Sequence, residues 1–285
     1  MNVRAAAASA LGAVGEPAEM VTPALIEALH GYLVVSYAAA GALGQIGAPA
    51  VPALIEALHD EEWDVRGRAT MALGQIGAPA SAAVPALTEM LRDNDSGVRW
   101  MGAATLGAIG EPAKSAVSAL VETLSDTAPR VRLAAAVALS HIGERTEAAL
   151  PILIEMLYDE DANARLRAVT TLGEIGEPAR SAVPELIGML DAGPYMRYTV
   201  AEALGQIGAA GASPMIEAHL TELLDDEDSH VRTIAARELA RIGAHARGTP
   251  GGAVTSGATA ADHHGQQRVS HPVRWPGGRS ILRAR

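Results

Sequence analysis

Seven arginines stand at one fixed position of a pattern that recurs along the chain. Each lies seven residues before a recurring leucine: Arg4, Arg66, Arg99, Arg132, Arg165, Arg197 and Arg232. A guanidinium presents a planar fork of donors that matches carboxylates, phosphates and carbonyl oxygens, so the series could bind an anion. Acidic residues stand beside it at positions 60–62, 93, 159–161 and 225–228. We therefore favour a structural role for the six arginines from Arg66 onward, the arginine ladder, in tying turns and repeats together.

The other residues that could take part in catalysis or metal binding form no recognisable site. The chain has no cysteine, which excludes disulfides, thiol nucleophiles and thiolate metal sites. His30 and His59 are expected at helix ends on the surface, and His219 and His230 stand near acidic residues without a metal-ligand spacing. The sequence around His141 suggests no base or nucleophile. We predict no catalytic residue, no metal site and no cofactor.

The element that positions all these residues is a short motif, which reads ALGQIG from Ala72 and returns eight times with small changes. Its leucines are Leu11, Leu43, Leu73, Leu106, Leu139, Leu172, Leu204 and Leu239. The spacing between them is about 33 residues, and self-similarity at such a period is the signature of a stacked repeat array.

One repeat predicts a pair of helices. A first helix begins near Pro52, because proline is tolerated in a first turn. The acidic residues 60–62 precede a second helix, whose apolar positions recur at spacings of four, four and three: Val65, Ala69, Leu73 and Ile76. Gly77 is expected to end this helix in a left-handed conformation. Gly74 lies mid-helix, where glycine lowers helix stability by about 1 kcal/mol relative to alanine. Close approach of a neighbouring helix would compensate for this cost, so we predict it there and at the equivalent glycines.

The positions of Gly67, Met71 and Gln75 point away from the apolar side of the second helix and predict an exposed ridge. Second helices line the concave face of a curved solenoid. Exposed apolar patches with Trp and Tyr mark interaction sites. We therefore predict that a partner binds eight ridge residues: Tyr37, Met71, Trp100, Leu133, Val137, His141, Leu166 and Tyr198. The alternative is that neighbouring repeats cover these positions and the aromatic rings fill gaps.

Charge divides the chain at Gly243. Residues 1–243 hold 16 of the 22 basic and 32 of the 33 acidic residues, whereas residues 244–285 hold six Arg and one Asp. We predict a repeat domain over residues 1–243 and a disordered basic tail rich in Gly, Arg and His over residues 244–285. The acidic repeat domain argues against nucleic-acid binding, which needs clustered Lys and Arg. No apolar run is long enough to span a membrane, and a cytoplasmic protein is expected.

Two segments depart from the pattern. Residues 1–15 match half a repeat, although a secretory signal peptide is an alternative interpretation. With no first helix before them, Ala7, Ala10 and Leu11 would expose apolar surface, so either the true start lies upstream or another subunit covers this end by self-association. Residues 30–36, with the sequence HGYLVVS, lack the acidic turn and the arginine. They either bury against the half repeat or offer an exposed edge.

The stretch APAVPALIEALHDEEWDVRGRATMALGQIG, at residues 48–77, resembles a HEAT repeat of the short class found in phycobilin-lyase-like proteins. The resemblance covers nearly all of residues 1–243. It implies an all-α fold, a right-handed α-solenoid of about seven to eight helix pairs. Metal hydroxylases of this kind bind two irons through His-Glu pairs, and the chain contains no adjacent His-Glu dipeptide. The HEAT-like DNA glycosylases need a cationic groove, which the acidic repeats do not offer.

These observations favour a non-catalytic scaffold that binds a protein or peptide segment along the ridge residues. The alternative implied by the resemblance is a phycobilin-lyase-like subunit or chaperone, which would hold an open-chain tetrapyrrole and its acceptor protein. Fold by itself does not decide between them.

Overall fold

Paired helices make up the protein in a computed structural model, which describes residues 18–209 and 213–246. These residues form fourteen α-helices and no strand. In chain order the helices are α1 Ala18–Glu27, α2 Leu33–Ile46, α3 Val51–Ala57, α4 Trp63–Ile76, α5 Val84–Met90, α6 Ser96–Ile109, α7 Val117–Thr123, α8 Pro129–Ile142, α9 Thr146–Met156, α10 Ala162–Ile175, α11 Val183–Gly188, α12 Pro194–Gly208, α13 Pro214–Glu222 and α14 Ser229–Ala246. The predicted half repeat at residues 1–15 and the predicted tail from residue 247 onward lie outside the described residues.

Odd-numbered first helices alternate with even-numbered second helices, so the described chain contains seven pairs. It divides into two compact units, the first ending at Ala119 and the second beginning at Leu120. In the first unit α2, α4 and α6 pack in order, and in the second unit α8, α10, α12 and α14 do the same. The predicted fold class, an all-α solenoid of helix pairs, is confirmed.

The core is built from the leucines that the motif repeats. Six of them have no exposed surface: Leu43, Leu73, Leu106, Leu139, Leu172 and Leu204. Leu239, on the last helix, is half-buried. Alanines such as Ala69 and Ala103 fill the remaining positions and are fully buried. Because these side chains are small, the second helices can lie close together, which suits a chain without phenylalanine.

Glycines end several second helices, but mostly not in the predicted conformation. Four have φ between 69° and 78° and ψ between −142° and −135°: Gly47, Gly77, Gly110 and Gly176. Only glycine tolerates this region, and its extended ψ leads the chain directly into a short 3-10 turn. The left-handed cap was therefore wrong for these four, whereas Gly143 adopts it, with φ 78° and ψ 18°.

Mid-helix glycines differ in what surrounds them. A Cβ added at Gly173 would lie 2.8 Å from the Cα of Ala203, and one added at Gly205 would lie 2.5 Å from the Cβ of Glu238. These contacts come from the adjacent second helix and confirm the predicted close approach. At Gly74 the nearest atom would be 3.6 Å away, which is ordinary van der Waals contact. Close approach is therefore not the reason for glycine at that position.

The last two second helices extend beyond their predicted ends. Helix α12 includes Gly208 as its final residue, and α14 continues past Gly243 to Ala246. Helix α14 therefore continues three residues into the segment that was predicted as the tail.

No single helix within residues 18–209 and 213–246 is long and apolar enough to cross a membrane. The pair Leu33–Ile46 and Ala48–Ala57 passes that test only when joined, and it is bent by 118°.

Candidate functional site

The ladder arginines bind to the turns between paired helices. In five turns an aspartate side chain accepts a hydrogen bond from the amide two residues later: Asp60, Asp93, Asp126, Asp159 and Asp226. This local bond folds the turn. The arginine six residues further on then donates from Nη1 to the carbonyl of the same aspartate; for Arg165 this distance is 2.7 Å, with 3.0 Å to the carbonyl of Glu160. The equivalent bond is made by Arg66, Arg99, Arg132 and Arg232.

Ladder arginines also reach across to a neighbouring repeat. Arg132 Nη2 lies 2.7 Å from Glu155 Oε1. Arg197 lies 2.7 Å from the Asp226 carboxylate through Nε and 3.0 Å from Glu227 through Nη2. The Asp226 hydrogen bond is the main reason that the pKa of Arg197 lies above its ordinary value. The ladder arginines thus bind mainly turn carbonyls, and some of them bind carboxylates as well. The spacing in the sequence did not by itself predict this division.

We expect the ladder to matter for stability rather than for ligand binding. Arg165→Ala should lower the free energy of unfolding by about 1 kcal/mol, because two hydrogen bonds to turn carbonyls are lost. Arg197→Ala should lower the melting temperature further, because it also leaves the buried Asp226 carboxylate without its guanidinium. Thermal unfolding followed by circular dichroism checks the order of the two. A variant that melts like the wild type but loses an anionic ligand would contradict the structural role.

The ridge residues of the first unit lie on three successive second helices. Tyr37 on α2, Met71 on α4 and Trp100 on α6 are each half-buried, and the three helices pack in that order. Small residues follow one helical turn later, Gly41 after Tyr37 and Ala104 after Trp100, and a Cβ added at Gly41 would meet nothing within 4 Å. The three adjacent helices of this unit therefore present three large, partly exposed side chains, with open space at Gly41.

Arg68 holds Tyr37 in place. Its guanidinium carbon lies 3.8 Å from the centre of the Tyr37 ring, its Nε donates to Ser36 Oγ at 3.3 Å, and its Nη2 lies 3.4 Å from Asp64. Arg68 is buried and lies outside the arginine ladder, and Arg167 occupies the equivalent position on α10. The repeat pattern did not predict this role. Two features of the sequence could have indicated it. Arg68 lies on the apolar side of α4, and Ser36, on the neighbouring helix, occupies the position where the other repeats have a ladder arginine.

The ridge of the second unit differs from the prediction in its middle. Leu133 and Val137 on α8 are only 7% and 5% exposed, so the prediction that they lie on an exposed surface is wrong. Helix α8 is rich in alanine and packs against both α9 and α10, so larger side chains between the helices are covered. The alternative interpretation, that some ridge positions fill gaps, holds for these two residues.

The remaining ridge residues of the second unit keep some exposure. Leu166 and Tyr198 are half-buried, and His141 is exposed with its Nε2 3.3 Å from the carboxylate of Glu174. No group of three or more His, Asp or Glu in the described part of the chain is arranged to hold a metal ion.

Near the end of the second unit, charged side chains take the place of apolar ones along the ridge. Arg237 lies 2.9 Å from both Glu202 and the buried Glu238, and Arg241 lies 2.7 Å from Glu238. Burial opposes the charge of Arg237, but the two carboxylates outweigh it and raise its pKa. The apolar part of the ridge therefore stops before α14.

Comparison with known families gives a consistent picture. A family model described as HEAT repeats matches four overlapping stretches, residues 22–101, 51–117, 84–163 and 150–222. Together they cover more than half of the chain. A second model, described as PBS lyase HEAT-like repeat, matches residues 3–31. No curated protein gives a significant match.

Several solved structures are similar in fold. The Escherichia coli protein YibA is 22% identical, with a TM-score of 0.56, and the match covers 82% of this chain and 85% of that one. The karyopherin Kap121p, bound to the extreme C-terminus of the phosphatase Cdc14p, is 19% identical with a TM-score of 0.60. That match covers 82% of this chain but 29% of Kap121p. The CpcE–CpcF complex of phycocyanin lyase from Nostoc is 25% identical over 78% of this chain and 94% of that chain, with a TM-score of only 0.48.

Proposed function

Because the chain belongs to the HEAT-repeat family, we propose that it is a non-catalytic scaffold that holds a segment of another protein against its ridge residues. Stacked helix pairs of this family are suited to protein interaction, since each repeat adds an equivalent strip of surface beside the last.

The observation that carries the proposal is the face of the first unit. Tyr37, Met71 and Trp100 are half-buried on three adjacent helices, so each is fixed by its surroundings yet presents part of its side chain. Aromatic and methionine side chains in such settings are enriched at the energetic centres of interfaces. Arg68 fixes one face of the Tyr37 ring, which leaves less freedom to lose on binding. The open space at Gly41 leaves room for a partner side chain.

A protein segment fits this face better than a small molecule does. The three side chains are spread over successive helices, whose axes typically lie about 8–10 Å apart, so an occupant must be extended to reach all of them. Kap121p, whose fold is similar, has a crystal structure with the C-terminus of another protein bound. The ridge residues Leu166 and Tyr198 offer the same kind of half-buried surface in the second unit.

The double variant Trp100→Ala, Tyr198→Ala should lose its partner. Truncation of a central aromatic side chain costs about 2 kcal/mol or more, which raises the dissociation constant roughly 30-fold per residue. Affinity capture from the native lysate, quantified by mass spectrometry, compares this variant with the wild type. Tyr158→Ala is the matched control, because Tyr158 is exposed but lies off the ridge. If the double variant captures every partner as well as the wild type does, the ridge is not the binding site.

A lyase-like subunit is the second candidate, supported by the match of residues 3–31 to the PBS lyase HEAT-like repeat model. Such a protein would hold an open-chain tetrapyrrole against the same apolar side chains. Mixing the purified protein with a bilin separates the two candidates. A shifted and sharpened absorption band that Trp100→Ala abolishes would favour the lyase-like role, and an unchanged spectrum would favour the plain scaffold.

A further inference from the structure

The most exposed apolar surface of the first unit lies at the beginning of two second helices, away from the ridge. Tyr32, Leu33 and Val34 at the start of α2 are 85%, 58% and 60% exposed, and Trp63 at the start of α4 is 61% exposed. We call these four residues the turn-edge patch. Of the two outcomes expected for residues 30–36, residues 30–34 form the exposed edge, whereas Val35 and Ser36 are buried.

The four residues form one surface because the two turns lie side by side. Helices α2 and α4 have fourteen residues each and pack against one another, with Leu33 and Trp63 in equivalent first positions. The turns themselves are linked by His30, whose ring nitrogens lie 3.4 Å from Asp60 and 3.5 Å from Glu62. Contiguous exposed apolar patches of this kind mark interaction sites.

The turn-edge patch lies where the repeat at α6 has a polar helix start instead. At the start of α6, Asp95 caps the helix by accepting from the amides of Gly97 and Val98. At the equivalent position of α2, Tyr32 provides no side-chain cap. Losing such a cap costs about 1 kcal/mol, and the substituted side chains are exposed rather than packed. Helices α4, α8 and α12 also begin without a side-chain cap, so what sets α2 apart is the three exposed apolar residues at its start.

The charges around the patch specify a basic occupant. Three acidic residues are exposed on either side of Trp63: Glu61, Glu62 and Asp64. Of the two nearby arginines, Arg66 binds the carbonyls of residues 60 and 61. Arg68, which is buried against Tyr37, lies 3.4 Å from Asp64, so Glu61 and Glu62 carry most of the negative charge of this rim. An occupant with arginines and a few apolar anchors would therefore match both the rim and the centre.

We propose that the turn-edge patch binds residues 268–285 of the same chain. This segment has five arginines, no acidic residue and several apolar anchors: Val269, Val273, Trp275, Ile281 and Leu282. Its arginines complement the carboxylates beside Trp63, and its apolar side chains complement the exposed patch. Residues 247–267 separate the segment from the end of α14, and a stretch of this length can span up to roughly 70 Å. Tethering raises the effective concentration of the segment, so weak contacts suffice.

Site-specific photo-crosslinking in the full chain tests this proposal. The variant Tyr32→p-benzoylphenylalanine places a photoreactive ring at the most exposed position of the patch, and Tyr158→p-benzoylphenylalanine is the matched control in the second unit. After irradiation, peptide mapping by mass spectrometry should find residues 268–285 joined to position 32 within one chain, and not to position 158. Crosslinks from position 32 only to residues 1–17, only to a second copy, or to nothing would overturn the proposal.

Two further measurements separate specific binding from chance contact. Raising the salt from about 0.1 M to about 1 M shortens the screening length from about 10 Å to about 3 Å and should remove most of the crosslink. Trp275→Ala and the double variant Arg274→Glu, Arg283→Glu should each lower the yield several-fold, and unchanged yields would overturn the proposal. Trp100→Ala should leave the crosslink unchanged, because the ridge is not part of the turn-edge patch.

Discussion

Gly205→Ala should unfold at a clearly lower temperature than the wild type. A Cβ at this position would lie 2.5 Å from the Cβ of Glu238, an atom that cannot move aside by rotation of its own side chain. Glu238 is almost fully buried and pairs with Arg237 and Arg241, so helix α14 would have to shift as a whole. Overpacking of this kind typically costs about 1–3 kcal/mol.

Two glycine variants serve as controls for Gly205→Ala. Gly74 has the same place in its own repeat but only ordinary contacts, so Gly74→Ala should stabilise the protein by up to about 1 kcal/mol through helix propensity. Gly188 lies in the same unit as Gly205, and a Cβ added there would meet nothing within 4 Å. Calorimetry of the three alanine variants checks the order. Equal melting temperatures for Gly205→Ala and Gly188→Ala would show that α12 and α14 are not in close contact.

Arg68→Ala should be the second strongly destabilising change, with a loss of about 1–3 kcal/mol in the free energy of unfolding. The variant removes the stacking on Tyr37, the hydrogen bond to Ser36 and the apolar stem that fills the space between α2 and α4. Arg68→Met is the matched control, because Met101 occupies the equivalent position on α6 and is itself buried. Methionine should restore the packing but not the stacking.

A double-mutant cycle isolates the contact between the two side chains. Combining Arg68→Ala with Tyr37→Leu should cost less than the sum of the single changes, by about 0.5–1 kcal/mol or more for a desolvated cation–π pair. Denaturant unfolding of the four proteins supplies the cycle. Strict additivity would mean that Arg68 does not position Tyr37. This contact would then not hold the Tyr37 part of the ridge rigid.

The helix pairs could be predicted well from the sequence because their causes are local and repeated. The leucine of each motif and the glycine after it recur with the period of the fold, and six of those leucines are fully buried. The ridge was predicted less well because exposure depends on how closely neighbouring helices approach. Helical geometry places Leu133 on the outward side, but it cannot show that adjacent helices cover it. The role of Arg68 was missed for a related reason, since its partners Tyr37 and Ser36 lie on another helix.

The turns have a consequence for how such a chain can change in length. A turn such as residues 60–66 closes with its own aspartate and its own arginine, so it needs nothing from the hairpins on either side. Duplication or loss of one whole hairpin in the gene would therefore leave no unsatisfied turn behind. Arg132 and Arg197 also have carboxylate partners in the following hairpin, Glu155 for Arg132 and Asp226 with Glu227 for Arg197. Each of these two hairpins should therefore be inherited with the hairpin that follows it, whereas a hairpin whose turn closes by itself is free to vary in number.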